Sequence, residues 1–115
     1  MSEGFVRAAG VSDIGENQNK AFRIGEYDIL INNTKEGFFA VENLCTHQRA
    51  ELEGGKIRGC FLFCPLHGQR FSLKDGAPIG QLTDKPIRTF PLKVEGDDIL
   101  VIPHPTAPES GGAQD

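Results

Sequence analysis

A chain of 115 residues with 38% apolar and 24% charged side chains fits one soluble domain that builds its own core with little margin. Its formal charge of −4 provides no basic footprint, which argues against nucleic acid as a partner. No apolar stretch approaches the roughly 20 residues of a membrane span, and Met1–Arg7 lacks the features of a signal peptide, so a cytoplasmic, unanchored protein is expected.

Short Val, Ile and Phe runs bounded by Gly, Asn and Asp recur along the chain, the pattern of an all-β domain. In chain order they predict strands at Phe5–Ala8, Ala21–Ile24, Tyr27–Ile31 and Gly37–Val41. Further strands are predicted at Lys56–Phe63, Gln69–Leu73, Ile87–Val94 and Ile99–Ile102. Asn32–Gly37 and Glu95–Asp98 read as hairpin turns, and Ser12–Glu16 as one helical turn. No long amphipathic helix can be placed. The polar, proline-broken segment 104–115 has almost nothing to bury and is expected to be a flexible tail, with His104 a solvated part of it. Residues 1–103 then form the single domain.

The cysteines, at 45, 60 and 64, are odd in number, and in a reducing compartment that favours metal ligation over a disulfide framework. Cys45-Thr46-His47 is followed, after sixteen residues, by Cys64-Pro65-Leu66-His67. Each half brings one thiolate and one imidazole close together, and Pro65 with the nearby glycines places both halves on loops. A zinc finger instead pairs its cysteines first and its histidines second. Mixed sulfur and nitrogen ligation of a [2Fe–2S] core has a redox consequence. Two thiolates neutralise the oxidised core, whereas four leave it negative and harder to reduce; two imidazoles therefore raise the potential from about −400 mV to roughly −150 to +300 mV.

From about Phe5 to Ile102 the chain resembles the Rieske [2Fe–2S] ferredoxins that feed aromatic-ring-hydroxylating dioxygenases. Ala40–His47 resembles the approach to the first cluster loop. Cys64-Pro65-Leu66-His67-Gly68 and Phe71–Gly76 resemble the second, and Ile87–Asp97 the closing hairpin. The resemblance implies a Rieske domain over 1–103, with an antiparallel β sandwich or barrel-like base and a small cluster-binding subdomain on loops at about 44–50 and 63–70. It implies one [2Fe–2S] cluster per chain, with Cys45 and Cys64 on the buried iron and His47 and His67 on the outer one. It also implies a monomeric one-electron carrier, not an enzyme, passing electrons from a flavoprotein reductase to a terminal Rieske oxygenase.

The departures from the family carry information. High-potential relatives join the two loops by an extra disulfide, but Leu66 fills one such place and Gln48–Glu51 contain no cysteine for the other. They also place a hydroxyl donor where this chain has Gln69. Fewer hydrogen bonds to the cluster predict a potential at the low end of the range, about −150 mV. Where the family often has a proline-rich cover loop, this chain reads Gly80-Gln81-Leu82-Thr83.

Cys60 matches no ligand position and reads as a buried structural thiol. Phe61, Phe63 and Phe71 read as core and shielding. Lys56, Arg58 and Arg70 read as scattered exposed cations, and Glu36, Glu51, Glu53 and Asp75 as equally unassigned acids. The alternatives are the small Rieske-like subunit of a nitrite reductase and a structural zinc module. An oxygenase α subunit is excluded, because only His104 remains for a mononuclear iron site.

Overall fold

The computed structural model describes residues 4–44, 51–65, 68–79 and 86–103. Over these the chain is built from short antiparallel strands. The first four are β1 (Val6–Gly10), β2 (Gln18–Ile24), β3 (Tyr27–Thr34) and β4 (Gly37–Glu42). Then come β5 (Ile57–Arg58), β6 (Phe61–Phe63), β7 (Arg70–Ser72) and β8 (Pro78–Ile79). The chain closes with β9 (Thr89–Phe90), β10 (Leu92–Glu95) and β11 (Asp98–Val101). A 3-10 turn, Val11–Asp13, starts one residue before the predicted helical turn.

Three sheets result, with strand orders β1-β11-β10, β2-β3-β4-β9 and β5-β6-β7-β8. The middle sheet is buried on both faces, and the period of two along a strand sorts its side chains between them. Leu30 and Val41, paired across β3 and β4, pack with Leu52, Leu62, Cys64, Phe71 and Leu73. Ile29, Ile31 and Ala40 point the other way and pack with Ala9, Phe90, Ile99 and Val101. The β2-β3-β4-β9 sheet is therefore a shared wall, with the β5–β8 sheet on one side and the terminal sheet on the other. These are the β sandwich base and the small subdomain expected from the sequence, and the described sheets are open rather than closed into a barrel.

Two predicted strands are broken. Lys56–Phe63 is a hairpin, because Gly59 adopts φ +60° and a two-residue turn at Gly59-Cys60 joins the paired residues Arg58 and Phe61. Cys60 thus lies in a turn, not in a strand, yet it is buried as expected. Ile87–Val94 divides at Pro91, which has no N–H to donate to a ladder, so β9 joins the middle sheet and β10 the terminal one. β8 was not anticipated. The Asn32–Gly37 turn is also shorter than predicted: Asn32 is buried within β3, and only Lys35-Glu36 turns. The cover segment Gly80–Thr83 and the tail 104–115 with His104 lie outside the described residues.

Candidate metal centre

Of the four expected ligands, Cys64 is among the described residues; Cys45, His47 and His67 lie outside them. Cys64 follows β6 directly. Leu62 and Cys64, two apart, share the inward face, and Cys64 is 2% exposed within the core between the two sheets. Its backbone closes the β6–β7 loop from both sides. Cys64 N–H donates to the Gln69 carbonyl at 2.8 Å, and Gly68 N–H, from a residue at φ +73°, donates to the Cys64 carbonyl at 2.9 Å. Pro65 is exposed. No disulfide engages Cys64 among the described residues.

The base of the first loop is fixed by a residue to which the sequence reading gave no role. Asn43, 4% exposed, follows β4 by one residue. Its Oδ1 accepts N–H donors from Leu52 at 2.8 Å and Glu53 at 2.9 Å, and its Nδ2 donates to Asp28 Oδ2 at 3.0 Å. The two chain segments that flank 45–50 are thus tied together by one side chain. From there Gly55 N–H donates to the Leu52 carbonyl, and Phe63 N–H donates to the Lys56 carbonyl, extending the β5–β6 ladder. A Cβ on Gly55 would fall on the Phe63 carbonyl oxygen, so only glycine fits. These hydrogen bonds, joined by the Gly55–Lys56 peptide link, connect Asn43 to β6, the strand that Cys64 follows. The only sequence hint of this clamp was an asparagine at a strand end, where a short amide can satisfy backbone donors.

Gln69, 2% exposed, takes the place where a hydroxyl was missed in the sequence. Its Nε2 donates to the carbonyls of Arg70 at 2.9 Å and Ile79 at 3.1 Å. Its amide N–H group is committed to tying β7 to β8, while Oε1 is buried with no partner among the described residues. Cys60 lies at the far end of the same hairpin. Burial, first, and the neighbouring Glu36 carboxylate push its thiol pKa up. Glu36 is itself held below the usual carboxylate range by Lys74, whose Nζ is 3.2 Å from Glu36 Oε1, and Lys74 is raised in return. A thiol kept protonated is a poor metal ligand.

A family model described as the Rieske [2Fe-2S] domain matches residues 4–91, and the chain belongs to that family. Among its sequence relatives are ferredoxin components of oxygenase systems. That of the naphthalene 1,2-dioxygenase/salicylate 5-hydroxylase systems of Ralstonia sp is 29% identical over 101 residues, covering 88% of this chain and 97% of the relative. That of the alkene monooxygenase system of Xanthobacter autotrophicus is 31% identical, covering 95% and 88%. Among solved structures, the ferredoxin of carbazole 1,9a-dioxygenase from Nocardioides aromaticivorans IC177 superposes with a TM-score of 0.82 at 29% identity, covering 87% of this chain and 98% of that one. The cofactor of the family is a Rieske [2Fe–2S] cluster. A buried thiol at a strand end, in no disulfide among the described residues and with its backbone bonded to Gly68 and Gln69, fits one thiolate ligand of such a group.

Proposed function

We propose that Cys45, His47, Cys64 and His67 hold the cluster, the cysteines on one iron and the histidines on the other, and that this chain carries single electrons from a flavoprotein reductase to a terminal oxygenase. The cluster supplies a reversible one-electron centre. The observation that carries the reading is the pair of closed loop bases, Asn43 with Leu52 and Glu53, and Cys64 with Gln69, linked through β5 and β6. That arrangement supports the C-x-H and C-x2-H segments meeting at a common point. Chain membership in the Rieske family sets aside the structural zinc module.

The residues around the site do three things. Leu62, Phe71 and Leu73 keep water from the Cys64 side. Asn43 orients the entry and exit of residues 45–50. Gln69 spends its amide hydrogens on carbonyls, which leaves fewer donors for the cluster and supports a potential at the low end of the Rieske range. Ferredoxin-component relatives support a transient shuttle over a permanent nitrite reductase subunit. They serve both ring dioxygenation and alkene monooxygenation, so the substrate of the system is not inherited from the fold; our reading remains an aromatic-ring-hydroxylating system. Among the described residues no helix is long and apolar enough to cross a membrane; our reading is of a monomeric carrier in the cytoplasm. Reconstitution with iron and sulfide, followed by iron analysis of the single variants Cys45→Ser, His47→Ala, Cys64→Ser and His67→Ala, tests the ligand set. Each is expected to lose the cluster; full iron content in any one removes that residue from the set.

A further inference from the structure

The β5–β8 sheet has an inner face, already described, and an outer face that the function does not use. Strand pairing places Arg58 opposite Phe61 and Phe61 opposite Ser72; it also places Phe63 opposite Arg70 and Arg70 opposite Ile79. Lys56 aligns with Phe63 through the Phe63 N–H bond to its carbonyl. The result is a ridge of two half-buried phenyl rings flanked by exposed Lys56 and Arg58 on one side and exposed Arg70 on the other. The sequence reading had these cations as scattered; the sheet gathers them on one face. Among the described residues none of the three is paired with a carboxylate. Elsewhere the chain is strongly acidic, with nine cations against sixteen carboxylates.

Arg70 is the centre of this face. Its guanidinium lies 5.4 Å from the Phe61 ring centroid and 5.9 Å from that of Phe63. Stacking on two rings holds the planar group in place while leaving its N–H edge for an acceptor, and that fork matches a carboxylate. Aromatic residues and arginine at the centre with cations around them is the composition of an interface. The face belongs to the strands that carry Cys64, so a partner seated there meets the layer on which that proposed ligand sits.

We propose that this outer face, with Arg70 stacked across Phe61 and Phe63 and flanked by Lys56 and Arg58, is the docking surface for a carboxylate-bearing patch on a protein redox partner. The proposal rests on the electron-carrier reading and adds to it the side of the molecule used and the charge of what it meets. Charge complementarity selects the occupant. An acidic protein approaching this net-negative molecule is attracted to this face and disfavoured by the overall charge, which orients the encounter.

Stopped-flow electron transfer from the reduced, cluster-loaded full chain tests it, with acidic cytochrome b5 and basic cytochrome c as acceptors. With cytochrome b5 the rate is expected to fall as salt rises, and to fall roughly tenfold at low salt in Arg70→Glu and in Arg58→Glu. Arg70→Lys, which keeps the charge but loses the fork, is expected to fall between. Cytochrome c rates are expected to hold or rise. Each variant is first checked for an unchanged cluster spectrum; should Arg70→Glu lose its cluster, Arg58→Glu on the edge strand β5 carries the test. Cytochrome b5 rates unmoved by charge reversal, with the spectrum intact, would overturn the docking surface while leaving the carrier reading standing. An unmodified protein that holds no cluster would instead overturn the carrier reading. Binding to phosphatidylglycerol vesicles or single-stranded DNA that is lost in both Glu variants, without change at cytochrome b5, would assign the face to another polyanion and also overturn the proposal.

Discussion

Cys60 and Cys64 are four residues apart on one hairpin and both are buried, but their surroundings separate them. Cys60 occupies a turn beside Glu36, and burial and that carboxylate raise its pKa above the usual value of 9.0. Cys64 stands at a loop base with a histidine three positions on. Cys60→Ala is therefore expected to retain full iron content, at a cost of about 1 kcal/mol from the small cavity. Cys64→Ser is expected to lose the cluster and, with it, much of the stability, since ligation and folding are linked. The raised pKa of Cys60 also has a sign. Below the ordinary thiol pKa the folded and unfolded states are both protonated there, and the contribution to stability is complete. As pH rises through 9 and on through the folded-state value, the unfolded state ionises first and stability is lost. Urea unfolding from pH 7 to 10.5 is expected to show this alkaline decline, reduced in Cys60→Ala; identical declines would place its cause elsewhere.

At the scale of elements, the strands that follow alternating or apolar patterns were legible: β3, β4 and β11 fall within a few residues of their predicted bounds. The misreadings have specific causes. Gly59-Cys60 turned a predicted strand into a hairpin, since a two-residue turn leaves little trace when one of its residues is a buried thiol. Pro91 split another strand between two sheets. Asn43 was legible only as part of a motif, because the donors it satisfies, Leu52 and Glu53, lie nine and ten positions away. Asn43→Ala leaves two backbone N–H groups without an acceptor, one of them buried, and is expected to cost about 2–3 kcal/mol in chemical denaturation. Hydrogen exchange at the Leu52 and Glu53 amides, recorded on the same variant, is expected to accelerate; unchanged protection would mean that the clamp is not what holds this segment. Gly55→Ala forces a methyl group onto the Phe63 carbonyl and is expected to destabilise by about 2 kcal/mol or more, with weaker cluster retention. A neutral effect in both readouts would contradict the continuous path from the Asn43 clamp to Cys64.

At the scale of the whole molecule, a sheet buried on both faces ties the layer that carries Cys64 to a terminal layer, so Cys64 sits on a built extension of the core. The family was legible in the sequence, and the proposed ligand pattern is read from it too, because both rest on local residues. The sequence did not show that three cations and two aromatic rings share one face, which is a property of strand pairing. The central claim is mixed ligation by two histidines and two cysteines. Pulsed EPR of the dithionite-reduced, cluster-loaded protein reads it most directly, through magnetic coupling to nitrogen. Two strongly coupled imidazole nitrogens are predicted, one from each of His47 and His67, with a midpoint potential far above the roughly −400 mV of an all-cysteine cluster. A reduced iron–sulfur signal with no strongly coupled nitrogen, or protein that carries zinc and no iron, would contradict it.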